Sequence, residues 1–146
     1  MPQKAVSATV TGNDQHVGSR AMIMKQAIEY NLAGSAQNEA DGIVTFTLQG
    51  DSDRLDSALA AIGDGTKKSS DITVNVSPIT VNSALNTFKI IDWTSTSRNI
   101  TNPYTLVFAL RPNDAVISRS DAKAVWHQIL RNTLRGDDLK KLDDED

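Results

Sequence analysis

Between residues 5 and 32 the chain changes from a strand pattern to a helix pattern across a short polar loop, and this change constrains the fold most. In residues 5–11, Val6, Ala8 and Val10 alternate with other side chains, as in a half-buried strand. In residues 20–32 the apolar side chains recur at helical spacing, which predicts a helix with its C-terminal stop at Gly34. The beginning of the chain therefore indicates a strand–loop–helix unit.

Similar patterns predict the order β-α-β-β-α-β for the body of the chain. Asp41-Gly42 is a tight-turn signal that joins two strands as a hairpin, and Gly50-Asp51 caps a second helix that ends near Gly63. Further strands are predicted at 88–93 and 104–110, whereas residues 63–85 are interpreted as an insertion with some β content. This order predicts an α+β fold of the ferredoxin-like type, an antiparallel sheet with two helices on one face.

The C-terminal part, residues 112–146, is predicted to be an addition to the fold of residues 1–111. Ser118 or Ser120 can cap a helix that runs to about Leu134 and has a broad apolar face. Two arrangements stay open for this face, docking on the open face of the sheet or self-association with another subunit. The acidic tail from Gly136 to Asp146 is predicted to be disordered.

Composition excludes several classes of function. The chain has 146 residues, no cysteine and a formal charge of −3. Residues 137–146 hold six acidic residues and two lysines, which is −4 and leaves +1 for the rest. A nearly neutral body argues against nonspecific nucleic-acid binding, and thiol chemistry is excluded. With no apolar run long enough to span a membrane and no secretory signal, we expect a cytoplasmic protein.

The loop from Gly12 to Ser19 is the first candidate for a functional site. A loop that enters a helix directs free backbone N–H groups outward, and the helix dipole adds partial positive charge, so an anion is favoured there. Arg20, at the helix entry, can bind a phosphate or carboxylate with two parallel hydrogen bonds. The alternative is that the loop only connects two elements and that Arg20 is a solvated residue of the first turn.

Two short motifs stand before and after the first predicted helix. The first contains Gly12, Gln15, Val17 and Arg20, and the second contains Gly34, Asn38, Asp41, Gly42 and Val44. Together they resemble the acylphosphatase family, whose first motif is a glycine, Val-Gln-Gly-Val, an aromatic residue and an arginine, and whose second motif places an asparagine three residues before Asp-Gly. The resemblance covers about residues 5–111, apart from 63–85.

The resemblance implies hydrolysis of the carboxyl–phosphate bond of a small-molecule acyl phosphate. Arg20 and the loop backbone would bind the phosphoryl oxygens, and Asn38 would orient the attacking water. The loop residues implied in substrate binding are Gln15, His16, Val17, Gly18 and Ser19. Because a carboxylate is a good leaving group, positioning and electrostatic stabilisation can supply most of the acceleration, and neither a metal nor another cofactor is expected.

The first motif departs from the family pattern at three positions. Asp14 stands where the family has an apolar residue, and a carboxylate directed into the loop would repel a phosphate. His16 replaces a glycine, and Ser19 replaces the aromatic residue before Arg20. These departures leave a second hypothesis open, a non-catalytic binding or assembly module that keeps the fold. His127 is interpreted as a surface residue, and Trp93 and Trp126 as packing residues.

Overall fold

The structure is a computed structural model that describes residues 2–11, 19–40, 43–66, 73–95, 98–112 and 116–142. Within these ranges the chain forms six strands and four helices. In chain order they are β1 (Gln3–Thr11), α1 (Ser19–Tyr30), β2 (Ala33–Ala40), β3 (Ile43–Asp51), α2 (Ser52–Thr66), β4 (Thr73–Ile79), β5 (Thr87–Ser95), β6 (Ile100–Ala109), α3 (Arg119–Thr133) and α4 (Gly136–Lys140). No helix in the described part of the chain is long and apolar enough to cross a membrane.

One sheet contains all the described strands, in the order β4-β1-β3-β2-β5-β6. β1 and β3 pair antiparallel, and β4 and β2 flank them with antiparallel pairings. Since α1 follows β1 and α2 follows β3, these four strands form the predicted ferredoxin-like unit. The sheet differs from the expected antiparallel arrangement in one pairing, because β5 runs parallel to β2; β6 then pairs antiparallel with β5.

The fourth strand of this unit lies inside the segment that the sequence indicated as an insertion. β4 pairs with β1 from Ala5↔Ile79 to Thr11↔Thr73. The β content expected in 63–85 is confirmed, but these residues are an edge strand of the sheet and not an insertion. The alternation of Val74 and Val76 with polar residues indicates a strand but does not show which strand it pairs with. α2 also continues to Thr66, past its predicted end, since one glycine weakens a helix without stopping it.

The connection from β4 to β5 crosses from one edge of the sheet toward the other. Gln49 of β3 holds this segment with two hydrogen bonds: its Nε2 donates to the carbonyl oxygen of Asn82 at 2.7 Å, and its Oε1 accepts from the Asn82 N–H at 2.8 Å. Gln49 is buried, and the two bonds give both the Nε2 and the Oε1 of its side-chain amide a partner. Without these partners the buried amide would destabilise the fold. The crossing segment is thereby fixed to the sheet.

The core lies between the sheet and a helical layer to which α3 belongs. α3 packs beside α1 and against β6, and its buried residues Ala122, Trp126 and Leu130 join the same hydrophobic cluster as the strands. The Trp126 and Trp93 rings meet edge to face with centroids 6.1 Å apart, which confirms both as packing residues. The apolar face of α3 is therefore buried against α1 and β6 within the chain. It needs neither docking on the open face of the sheet nor another subunit to cover it.

The C-terminal segment is ordered further than predicted. The Ser118 hydroxyl accepts from the Asp121 N–H at 3.0 Å and caps α3, and α4 then occupies residues predicted to be disordered. The reason is Asp138, a buried residue of α4 whose carboxylate accepts hydrogen bonds from the hydroxyl of Tyr104 at 2.6 Å and the amide of Asn102 at 3.0 Å. The hydrogen bond from Tyr104 is the main cause that lowers the pKa of Asp138. Residues 143–146 lie outside the described part.

The predicted stop of α1 at Gly34 is wrong, because the helix ends at Tyr30 and Asn31 adopts the left-handed conformation (φ +56°) that closes it. The Leu32 N–H donates to the carbonyl of Ala27 at 2.9 Å. The buried Asn31 side chain also accepts from the Arg111 N–H at 2.8 Å, and the Arg111 guanidinium donates to the Ile28 carbonyl at 2.7 Å. Asparagine tolerates this conformation, and it ends the helix before Gly34.

Gly34 instead lies in β2, where it allows a close approach of β2 to the neighbouring strand β3. Its φ is +145°, and a Cβ atom built there would lie 1.9 Å from the carbonyl oxygen of Thr47. We therefore expect Gly34→Ala to lower the free energy of unfolding by about 2–4 kcal/mol, because strand β3 has to move. Urea denaturation measures this loss. The matched control is Gly63→Ala, where a Cβ meets nothing within 4 Å; equal midpoints for the two variants would contradict the prediction.

Candidate active site

Arg20 lies in the first turn of α1, and its guanidinium is fixed to the backbone of β5. Nη1 donates to the carbonyl oxygen of Asp92 at 3.0 Å, and Nη2 donates to the carbonyl oxygen of Thr94 at 3.5 Å. The side chain is half-buried, and the two bonds hold its guanidinium at the end of β5. The arginine that the sequence predicts to bind an anion is thus held by a strand 72 residues further along the chain.

A β-bulge in β5 presents these carbonyl groups. Ile90 pairs with Leu106, but the next pair is Trp93 with Tyr104, so β5 has one residue more than β6 over this interval. Asp92 falls in the bulge with φ +55°, a conformation that aspartate adopts more readily than most residues. The bulge interrupts strand pairing at the point where β5 meets Arg20.

Sequence reasoning missed Asp92 and Thr94, although a signal was present. The apolar residues of this segment are Phe88, Ile90, Ile91 and Trp93, so the alternation changes phase between Ile90 and Ile91 where a regular strand keeps a period of two. Such a phase shift is typical of an inserted residue. It predicts a bulge but does not predict which arginine binds it.

Burial and charge act in opposite directions on Arg20. Burial lowers the pKa of its guanidinium from the usual value, and the neighbouring Asp92 carboxylate raises it. Arginine stays protonated in proteins, so the group keeps its positive charge. A cation that has lost part of its hydration interacts more strongly with an incoming anion than an exposed one.

Asn38 lies at the end of β2, on the strand next to the bulge. Its side chain is exposed, and the pairing of β2 with β3 shifts register between Asn38 and Ala40. The parallel pairing of β2 with β5 runs to Gln37↔Ile91, so Asn38 is one residue past the last pair, level with Asp92. Neighbouring strands are about 5 Å apart, which brings Asn38 close to the backbone that anchors Arg20.

The predicted binding loop leaves the sheet at the same end. β1 ends at Thr11, which pairs with Ile43 at the beginning of β3. Gln15, His16, Val17 and Gly18, like Asp14 and the Asp41-Gly42 turn, lie outside the described residues, and Ser19 is the first residue of α1. The structure thus places Arg20, Asn38 and both ends of the loop at one end of the sheet, while the roles of all these residues stay predictions.

The fold and the position of Arg20 define a ferredoxin-like α+β sandwich with a candidate oxyanion site. A model of the acylphosphatase family matches residues 6–90. The acylphosphatase of Chlorobaculum tepidum is 34% identical over 91 residues, which are 62% of this chain and 99% of that relative. The acylphosphatase of Salinibacter ruber is 35% identical over 74 residues, 51% of this chain and 78% of the relative.

Solved structures agree with these relatives. The crystal structure of acylphosphatase from Bacillus subtilis superimposes with a TM-score of 0.52 at 27% identity, covering 58% of this chain and 94% of that one. An acylphosphatase from Coxiella burnetii has a TM-score of 0.52 at 25% identity, covering 60% and 92%. The chain belongs to the acylphosphatase family, as its two motifs predicted. It is therefore an enzyme, a hydrolase of acyl phosphates.

Proposed function

We propose that Arg20 binds the phosphoryl group of an acyl phosphate and that Asn38 orients the attacking water. One observation carries this proposal. The Arg20 guanidinium donates to the Asp92 carbonyl of β5, and Asp92 is level with Asn38 on the neighbouring strand β2. A cation anchored to the end of β5 and an amide on the neighbouring strand β2 suit an anion and a water molecule respectively. The N–H groups of the loop from Gln15 to Ser19 would supply further donors.

Hydrolysis of an acyl phosphate requires little more from the site than binding and positioning. The leaving group is a carboxylate of low basicity, so strong general-acid assistance is unnecessary, and catalysis can come from positioning and from neutralising the phosphoryl oxygens. A guanidinium has five N–H donors, and the bonds to Asp92 and Thr94 use one N–H on each of two nitrogens. Donors remain for a phosphate, while the carbonyl bonds keep the planar group in place.

The test is phosphate release from benzoyl phosphate in the presence of a chelator. We expect Asn38→Ala to lower kcat by about 10- to 100-fold with little change in KM, because water orientation contributes to the reaction and not to substrate binding. Gln37→Ala, one residue earlier on the same strand, is the control. A KM effect without a kcat effect would mean that Asn38 binds substrate and would overturn its assignment to water.

Other expectations from the sequence remain predictions. They are the cytoplasmic location, the lack of nucleic-acid partners, the boundary between residues 111 and 112, and self-association through the C-terminal helix. The apolar face of α3 no longer gives a reason to expect self-association, because it is buried within the chain. A non-catalytic module is not favoured by any contact of the described residues.

A further inference from the structure

The two carbonyl groups that hold Arg20 lie on either side of Trp93, in an irregular part of β5. Asp92 precedes this tryptophan and Thr94 follows it. The pairing of β5 with β6 shifts register on both sides of the Trp93↔Tyr104 pair. Such shifts disrupt the ladder of backbone hydrogen bonds locally. The position of the two carbonyls therefore depends on what holds Trp93 and its partner Tyr104.

Each member of this pair is held by a different helix. Trp93 is 4% exposed, and its ring meets that of Trp126 in α3 edge to face. Tyr104 is held by α4, because its hydroxyl donates to Oδ2 of Asp138 at 2.6 Å. The side-chain amide of Asn102 donates to the same oxygen at 3.0 Å. Asp138 thus links α4 to two residues of β6.

Lys141 completes the contact of α4 with this end of the sheet. Its Nζ donates to Oδ1 of Asp138 at 3.3 Å and to the carbonyl oxygen of Asn99, the residue immediately before β6, at 2.8 Å. Asp138 is 5% exposed, and donors reach both of its carboxylate oxygens. A buried polar network whose members have partners is rigid, so α4 fixes the beginning of β6.

The elements that hold the pair belong to the C-terminal part of the chain. β6, α3 and α4 all lie beyond residues 6–90, the part matched by the family model. Arg20 lies inside the matched part, whereas both of its carbonyl partners follow the end of that part. The C-terminal extension therefore supports the anchor of an arginine that the matched part carries.

We propose that Asp138 is a positioning residue of the active site. Through Tyr104 and its pairing with Trp93, its carboxylate keeps the two neighbouring carbonyls of β5 in place, and these orient the Arg20 guanidinium. The proposal rests on the proposed function of Arg20 and extends it to the group that positions this side chain. A guanidinium whose anchors move keeps its charge but directs its N–H groups wrongly, and a misplacement of about 1 Å can cost up to about 100-fold in rate.

The kinetic experiment removes one hydrogen bond of this network. We expect Tyr104→Phe and Asp138→Ala each to lower kcat/KM for benzoyl phosphate about tenfold, because Arg20 is less well positioned. Asp138→Asn, whose amide oxygen can still accept from the tyrosine, should stay within about threefold of the wild type. Asp137→Ala is the matched control, since this carboxylate of α4 is 91% exposed, and it should change nothing. Wild-type kcat/KM in Tyr104→Phe would overturn the proposal.

A double variant separates positioning from a general loss of structure. Arg20→Lys cannot keep both anchoring bonds together with the phosphoryl contact, so adding Tyr104→Phe to it should have little further effect on kcat/KM. Two changes that act through one contact are not additive, whereas independent losses multiply. If Arg20→Lys/Tyr104→Phe lost the product of the two single effects, Tyr104 and Asp138 would not act through Arg20, and the proposal would fail.

A second readout does not depend on turnover. The Nε–H group of Arg20 should have a high NMR order parameter in the wild type and in Asp137→Ala, and a lower one in Tyr104→Phe and Asp138→Ala. Unchanged values in Tyr104→Phe would overturn the proposal. If the wild type hydrolyses no acyl phosphate, the proposed function fails, while the order parameter still tests how Arg20 is held. If Asp138→Ala does not fold, Tyr104→Phe, which loses only a hydroxyl, decides both measurements.

Discussion

Replacing Arg20 by lysine is expected to lower kcat/KM for benzoyl phosphate by about 100-fold or more, even though the positive charge is kept. Arginine donates to the Asp92 and Thr94 carbonyls from two different nitrogens and has further N–H groups for the phosphate. A lysine ammonium is a single point on a flexible stem and cannot bind both carbonyls and the phosphoryl group. Loss of one preorganised donor to transition-state charge costs about 10²–10³ in rate.

Steady-state kinetics and a fold control complete this test. Arg54→Lys is the matched variant, because Arg54 is also a half-buried arginine that donates to a backbone carbonyl, that of Tyr30, at 3.1 Å. It lies on α2 rather than at the site, so its kinetic effect should stay within about threefold. If Arg20→Lys retained most of the activity, the bidentate arrangement would be irrelevant to catalysis. A circular dichroism spectrum like that of the wild type excludes unfolding as the cause.

Trp126→Ala should lower the free energy of unfolding by about 3–5 kcal/mol, a large fraction of the roughly 5–15 kcal/mol that stabilises a typical domain. Trp126 is 1% exposed and contacts the Trp93 ring edge to face. The substitution leaves a cavity between α3 and the sheet and removes the ring under Lys25. Urea denaturation monitored by far-ultraviolet circular dichroism measures the loss.

A matched variant separates the effect of burial from that of α3 itself. Val116→Ala changes an apolar residue just before α3 that is 51% exposed, and we expect less than about 0.5 kcal/mol from it. Deleting all residues after Pro112 should be more damaging than Trp126→Ala, since it exposes Trp93 and removes Ile117, whose N–H donates to the Glu29 carbonyl at 3.1 Å. A truncated chain of unchanged stability would show that residues 112–146 form a separate unit.

Local patterns predicted the elements that have one buried face. β1, α1, β3 and α3 each show an apolar stripe at the expected period, and each occurs close to its predicted position. β4 was expected only as β content within an insertion, because its alternation does not reveal that it pairs with β1 at the edge of the sheet. α4 was missed, because it is a short acidic helix whose order depends on hydrogen bonds from Tyr104 and Asn102, more than 30 residues away.

The sequence by itself determined the candidate site as a set of residue types: an arginine at the entry of a helix and an asparagine before a tight turn, both carried by motifs that resemble one family. Only the tertiary structure decided what surrounds them. The parallel pairing of β2 with β5 and the bulge at Asp92 place the backbone that holds Arg20 level with Asn38, and α3 completes the core by packing on α1. These contacts join residues that are far apart in the chain, and local hydrophobic periodicity carries no information about such pairings.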